Sequence, residues 1–233
     1  MATRRLTHAD RRCSILEAAT AAFAARGYDG ARTLEIAREA GVSEALLYRH
    51  FPSKQALHDA VLARVIEQQD HNFSVLGLPE ASTRSLVETL WIYFDACIHS
   101  ASTSNASKSQ RILLLSLAAD GAHAGMIYKR AQKLGVDSFR KALAAARDEG
   151  NLTSDGIDPR NAWNFIEHVG SMIASGRLSG ASVIPYAGSR QNLVREAALF
   201  CGRGLGLKDA AITAHAPAHS SIRASARARR ERR

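Results

Sequence analysis

Apolar residues recur at helical spacing from near the start of this chain to about residue 205. In residues 13–26, Ile15, Leu16, Ala19, Phe23 and Ala24 form one stripe, and Gly27 followed by Tyr28-Asp29-Gly30 ends it in a turn. In residues 33–40, Leu34, Ala37 and Ala40 repeat the stripe over a shorter length, with Thr33 as the expected cap. Gly41 breaks the pattern where a tight helix–helix turn needs positive φ. Val42 reads as the buried turn residue, and Ser43 is a good N-cap. The next segment, 44–50, turns Leu47 and Phe51 inward as an i, i+4 pair and leaves Ala45, Tyr48 and Arg49 outside. Pro52 stops it. Ser53 starts another helix, with Leu57, Val61, Leu62 and Val65 inward.

The pattern stays helical beyond residue 76. Gly77-Leu78-Pro79 marks a break, and 85–99 carries Leu86, Leu90, Trp91, Phe94 and Ile98. Residues 100–109, SASTSNASKS, read as a polar loop before a short apolar helix at 111–119. A long helix is expected from about 123 to 149, stopped by Gly150-Asn151. Asp158-Pro159 opens another as N-cap and first-turn proline, running to about 176. The last is expected from 189 to about 205, and residues 210–233 are expected to be mostly disordered. No period-2 alternation is long enough for a sheet, so the fold class is all-α.

Composition narrows the function more than the fold. The chain has 233 residues with 46% hydrophobic content, enough for a real core. No apolar run reaches membrane-span length, and the start has no secretory pattern. Cys13, Cys97 and Cys201 are scattered, which fits a reducing cytoplasm and gives neither a disulfide framework nor a metal motif. The net charge of +9 sits mostly at the two ends, and residues 13–74 hold more acidic than basic side chains. Bulk attraction therefore cannot draw residues 13–74 to a polyanion. A helix presenting Ala45, Tyr48 and Arg49 suits the DNA major groove, which admits an α-helix.

Three stretches carry a family resemblance: Ile15–Gly30 (I-L-E-A-A-x-x-x-F-A-x-x-G-Y-D-G), Thr33–Ser43 (T-L-E-I-A-x-x-A-G-V-S) and Leu47–Lys54 (L-Y-R-H-F-P-S-K). In order and spacing, residues 13 to 65 resemble the tetracycline-repressor (TetR) family of bacterial transcriptional regulators. The resemblance implies a basic arm (1–12), a helix-turn-helix DNA-binding domain (13–74), a helical effector-binding and dimerisation bundle (75–207) and a basic tail (208–233). It implies phosphate contacts at Thr33, Tyr48, His50 and Lys54. Glu44, Ala45 and Leu46 fall at positions that usually meet base edges, with Ser43 and Arg49 completing the surface. Glu44 stands where Lys is frequent, and Leu46 where Thr or Ser is. Glu can accept from a cytosine amino group. Leu46 either touches a thymine methyl or packs on its own core.

For the bundle, Trp91, Phe94, Met126, Tyr128, Trp163 and Met172 are candidate walls of an effector pocket, with Cys97, His99, His123 and His168 as polar groups. Ile166, Gly170, Ala174, Leu193, Val194, Ala197 and Cys201 are candidates for a homodimer interface, although an intramolecular bundle would show the same pattern. The expected partners are a palindromic operator, a second copy and a small effector of low polarity, with no cofactor, metal or membrane. Two other readings remain at this level. A sequence-independent DNA binder would use the arginine-rich ends. An all-helical enzyme lacks support, since no Gly-x-Ser-x-Gly, His-Glu-x-x-His or Walker-type motif occurs.

Overall fold

The computed structural model describes residues 7–76, 80–100, 104–153, 156–178 and 182–217. The helices are α1 (His8–Gly30), α2 (Thr33–Glu39), α3 (Glu44–His50), α4 (Lys54–Leu76), α5 (Thr83–Ser100), α6 (Ser104–Leu117), α7 (Ala122–Asp148), α8 (Pro159–Ser175), α9 (Arg190–Gly204) and α10 (Asp209–His215). Among the described residues the only bridge is an isolated one between Leu152 and Leu207, so the fold is all-α as the periodicity predicts. The expected break at 77–79 and the end of the tail, 218–233, lie outside the described residues.

Two compact units emerge, and they are not divided by a single cut near residue 75. One takes the chain up to Asp70 together with Lys108–Ile127; the other takes His71–Ser107 and the chain from Tyr128 onward.

In the first unit α1, α2, α3 and the start of α4 close over Ile15, Phe23, Ile36, Leu47, Leu57 and Val61, each at most 1% exposed, with Ile112 of α6 in the same core. Burying one such side chain is worth about 1.5–3 kcal/mol. α1 starts five residues before the expected 13, because Thr7 and Asp10 form a reciprocal capping box. Gly27, at φ 69°, interrupts α1 as its position predicts. The turn after α2 works as expected: Gly41 adopts φ 67°, and the Ser43 hydroxyl accepts from the Leu46 N–H at 3.2 Å. Two details differ. Leu34 is 55% exposed, and the buried stripe of α2 runs through Ile36 and Ala37. Thr33 does not cap α2; Arg32 holds that position without a side-chain bond, and the Thr33 hydroxyl is used elsewhere.

The second unit packs α5 against α8 and α9 over Leu86, Val87, Phe94, Ile98, Ala146 and Ala198. The Glu149 carboxylate accepts from the Thr83 N–H at 3.3 Å, and Asn151 donates to the Thr83 hydroxyl at 3.0 Å. These bonds tie the start of α5 to the end of α7. Asp158 caps α8, with Pro159 in its first turn. Gly170 lets α8 approach α5 closely, since a Cβ there would collide with the Tyr93 ring.

Two expectations are corrected. The polar segment 100–109 is not a loop throughout, because α6 begins at Ser104. α9 is not the last helix. Residues 209–215 form α10, and Ala211 and Ile212 are buried at 6% and 1%. Arg203 donates to both Asp209 carboxylate oxygens at 2.8 and 2.9 Å, and the Lys208 N–H bonds the Asn151 carbonyl at 2.9 Å. The Ala- and Arg-rich composition of the tail hid a single apolar anchor, Ile212.

Candidate nucleic-acid interface

The outer side of α3 is set by its inner side. Leu47 is wholly buried and Phe51 is 3% exposed. At 3.6 residues per turn this places Ala45, Tyr48 and Arg49 in solvent. Ser43 is exposed beside them, while Leu46 is half-buried.

Three of the predicted contact residues form one hydrogen-bond chain. The Thr33 hydroxyl donates to Glu44 Oε1 at 2.7 Å. It lies 3.1 Å from the Tyr48 hydroxyl, which must then donate to it, because a threonine has a single hydroxyl proton. The carboxylate expected to read a cytosine is thus held by Thr33 through Oε1, which leaves Oε2 to meet a base. The chain ties the start of α2 to one turn of α3 and fixes where the two hydroxyls point.

His50 and Lys54 are also engaged. The His50 ring packs on the His8 ring with centroids 4.2 Å apart. Its pKa is lowered by burial and then by His8, Arg11, Arg12 and Arg49. Its Nδ1 is buried without a hydrogen-bond partner. The Arg12 guanidinium sits 5.0 Å above the Phe51 ring. Lys54 Nζ donates to the Asp29 carbonyl at 3.3 Å and lies 4.7 Å over the Tyr28 ring. His8, Arg11 and Arg12 are functional candidates that periodicity missed. They read as a basic arm, whereas the Thr7–Asp10 box puts them on α1 against the α3 end. That box was the available signal.

The second unit sorts the pocket candidates differently. Trp91 and Phe94 are core, at 5% and 0% exposure. Trp163 packs edge-on to Phe139 at 5.8 Å. Cys97, Tyr128 and His168 come together with Tyr93 around Glu167. The Tyr93 hydroxyl donates to the Glu167 carbonyl at 3.1 Å, and the Tyr128 and His168 rings meet edge-on at 5.7 Å. Burial raises the Glu167 carboxyl, and a hydrogen bond from Tyr128 opposes the rise. Burial pushes the Cys97 thiol up to about 12, so it is no nucleophile. His99 lies apart on α5, bonded to its own helix through Asp95. Met126 and His123 belong to the first unit.

Among the interface candidates, Gly170, Val194 and Cys201 are buried inside the unit's own core, against α5 and its neighbours. Leu193 and Ala197 are nearly buried and form the floor of a cleft of about 480 Å³ between α8 and α9, together with His168, Met172 and Phe200. Ile166 and Ala174 are half-buried. The exposed apolar side chains on these helices are instead Phe165, Met172 and Phe200, at 54%, 57% and 70%.

Among the described residues no group of three or more His, Cys, Asp or Glu could hold a metal ion. None of the described helices is long and apolar enough to cross a membrane.

Residues 15–61 match the family model described as bacterial regulatory proteins, tetR family. Over 63 residues the chain is 48% identical to the HTH-type transcriptional activator FasR of Mycolicibacterium smegmatis, covering 27% of this chain and 29% of that protein. Over 54 residues it is 44% identical to the HTH-type transcriptional regulator RutR of Escherichia coli, covering 23% and 26%. The chain thus matches less than a third of the length of either relative. The whole fold has neighbours among solved structures. The ketosteroid transcriptional regulator KstR2 of Mycobacterium tuberculosis superposes with a TM-score of 0.60 at 20% identity, over 85% of this chain and 96% of that one. The fatty acid degradation regulator FadR of Bacillus halodurans superposes at 0.60 with 16% identity, over 88% and 100%. The N-terminal module, residues 15–61, is thus similar to the tetR family of bacterial regulatory proteins, and the fold as a whole is shared with solved transcriptional regulators.

Proposed function

We propose that this chain is a dimeric, ligand-responsive transcriptional regulator that represses from a palindromic operator. The observation that carries the reading is the outer face of α3, with Ala45, Tyr48 and Arg49 exposed over a wholly buried Leu47. Each copy would place α3 in a major groove, and two copies would read half-sites about one helical turn, roughly 10 base pairs, apart or a multiple of it. Tyr48, Thr33, His50 and Lys54 would meet phosphates, which fix register, while Ala45, Leu46 and Glu44 face the bases.

The second copy would dock on the outer faces of α8 and α9, where Phe165, Met172 and Phe200 stand exposed. The effector would bind in the second unit. Cys97, Tyr128 and Glu167 supply hydrogen-bonding groups within an apolar core there. Burial disfavours the charged form of the Glu167 carboxyl, which fits an effector of low polarity. To act, the effector must bind more tightly to the state whose two α3 helices no longer match the operator spacing.

Selection of bound duplexes from a random pool tests the reading. A palindrome with two half-sites supports it, and a pool without enrichment overturns it. A reporter placed behind the selected site gives the sign of regulation: loss of the protein raises expression if it represses.

A further inference from the structure

The first unit contains a cavity of about 640 Å³ bounded by the end of α1, the start of α4 and the α6–α7 turn. Phe23, Leu62, Ile112, Leu115 and Met126 make its apolar wall. His123 is 5% exposed and lines the cavity. Both of its ring nitrogens are buried without a hydrogen-bond partner. A buried polar group left unmatched is costly, and most in folded proteins find a partner. Burial, and to a lesser degree the nearby His58, hold the His123 pKa down to about 4. His58 lines the same cavity, edge-on to Phe23 at 4.8 Å and to Tyr28 at 5.0 Å. At neutral pH His123 therefore offers one N–H donor and one lone pair.

We propose that this cavity is a small-molecule site in its own right, taking a compact uncharged aromatic molecule that carries one hydrogen-bonding group, of the carboxamide or phenol kind. The volume falls in the range of small-ligand pockets, ~300–1,000 Å³. Asp29, Asp59 and Asp120 on the cavity lining outnumber Arg26, which is paired with Glu35, and disfavour anions. A cation would have to be desolvated against an apolar wall beside two imidazoles. A neutral ring fills the apolar side, and its amide or hydroxyl pairs with His123.

The site sits one step from the DNA-facing surface. Tyr28 and Asp29 form part of its wall, and the same two residues hold the Lys54 ammonium. An occupant that moves this segment changes where Lys54 points. This regulatory use rests on the proposed DNA-binding role; occupancy of the site does not.

The test titrates the full chain, with 15N-labelled histidine rings, with benzamide, benzoate and benzylamine at pH 7. The His123 signals are assigned by their loss in His123→Gln. Benzamide is expected to shift them saturably, with the two charged probes at least tenfold weaker. His123→Leu, which keeps the bulk and removes the hydrogen bonds, should weaken benzamide at least tenfold. Leu115→Trp, which fills the cavity from a partly exposed position, should do the same and decides the matter if His123→Leu does not fold. No saturable shift at His123, equal binding of all three probes, or binding that survives both variants overturns the proposal. Benzamide binding without any enriched operator would remove the DNA-binding reading and leave the site standing.

Discussion

On α3 the exposed side presents a phenol and a guanidinium over a leucine with no exposure; on α8 and α9 the exposed side presents Phe165, Met172 and Phe200, all more than half exposed. The first face can exchange water for phosphate oxygens and base edges, and it has no large apolar patch to hide. The second gains from covering apolar area and offers few directional contacts. A short helix of seven residues, α3, can present such a face because its inner side and both ends are fixed. The Tyr48–Thr33–Glu44 chain ties it to α2, Lys54 ties its C-terminal flank to the Asp29 carbonyl of α1, and Ser43 caps its own first turn. The second function needs the area of two helices of 17 and 15 residues.

The largest effect that would break this contrast lies in the core beneath α3. Leu47→Ala should cost the first unit about 2–5 kcal/mol, read as an earlier urea transition with loss of DNA binding. Because the two units have separate apolar cores, the transition of the second should stay in place. A common shift of both transitions would mean that the units do not hold separate cores in solution.

On the second face, Phe200→Glu should weaken self-association by about 2 kcal/mol or more, near thirtyfold. Sedimentation at a series of concentrations reads this directly. An unchanged association constant would move the interface off α8 and α9. Tyr48→Phe and Lys54→Ala should each weaken binding to every sequence by roughly 1 kcal/mol, with Lys54→Ala also lowering the salt slope by about one. Glu44→Ala sharpens the first face. If its carboxylate acts through Thr33 and Tyr48, affinity falls by a similar factor for all operators; if it reads a base, one position of the operator changes preference.

The smallest effect is a pH dependence. His50 has its pKa held below the usual 6.5 by burial and by His8, Arg11, Arg12 and Arg49. A phosphate placed against it would offset those positive neighbours and raise that pKa. Binding then takes up a proton, so affinity should rise a few-fold as pH falls from about 7.5 to 6. His50→Gln should flatten the profile, as fluorescence anisotropy would show.

The same contrast explains what could be read in advance. The first unit is built from local signals: a stripe, a glycine at the turn, a capping serine and a proline stop. Each signal acts within a few residues, so Leu47, Phe51, Gly41 and Ser43 fall where their spacing puts them. What spacing does not carry is side-chain pairing across elements. The Thr33–Glu44 bond and the His8–His50 stack join residues far apart in sequence. In the second unit the apolar stripes of α8 and α9 were legible, but which side of a stripe faces the chain's own core depends on how the helix is rotated. Gly170 turned inward because Tyr93 of α5 fills the space a side chain would need. Val194 and Cys201 went with the core, and Met172 and Phe200 were left outside.

The central claim is that a few placed contacts, and not bulk charge, direct this chain to DNA. The direct test is the affinity ratio between the selected palindrome and a scrambled duplex, measured for the full chain and for a chain lacking residues 218–233, which are rich in arginine. The account predicts that the ratio persists after the deletion while absolute affinity for both duplexes falls modestly. A ratio that collapses toward one, with most of the affinity gone, would contradict it and leave a charge-driven binder in its place.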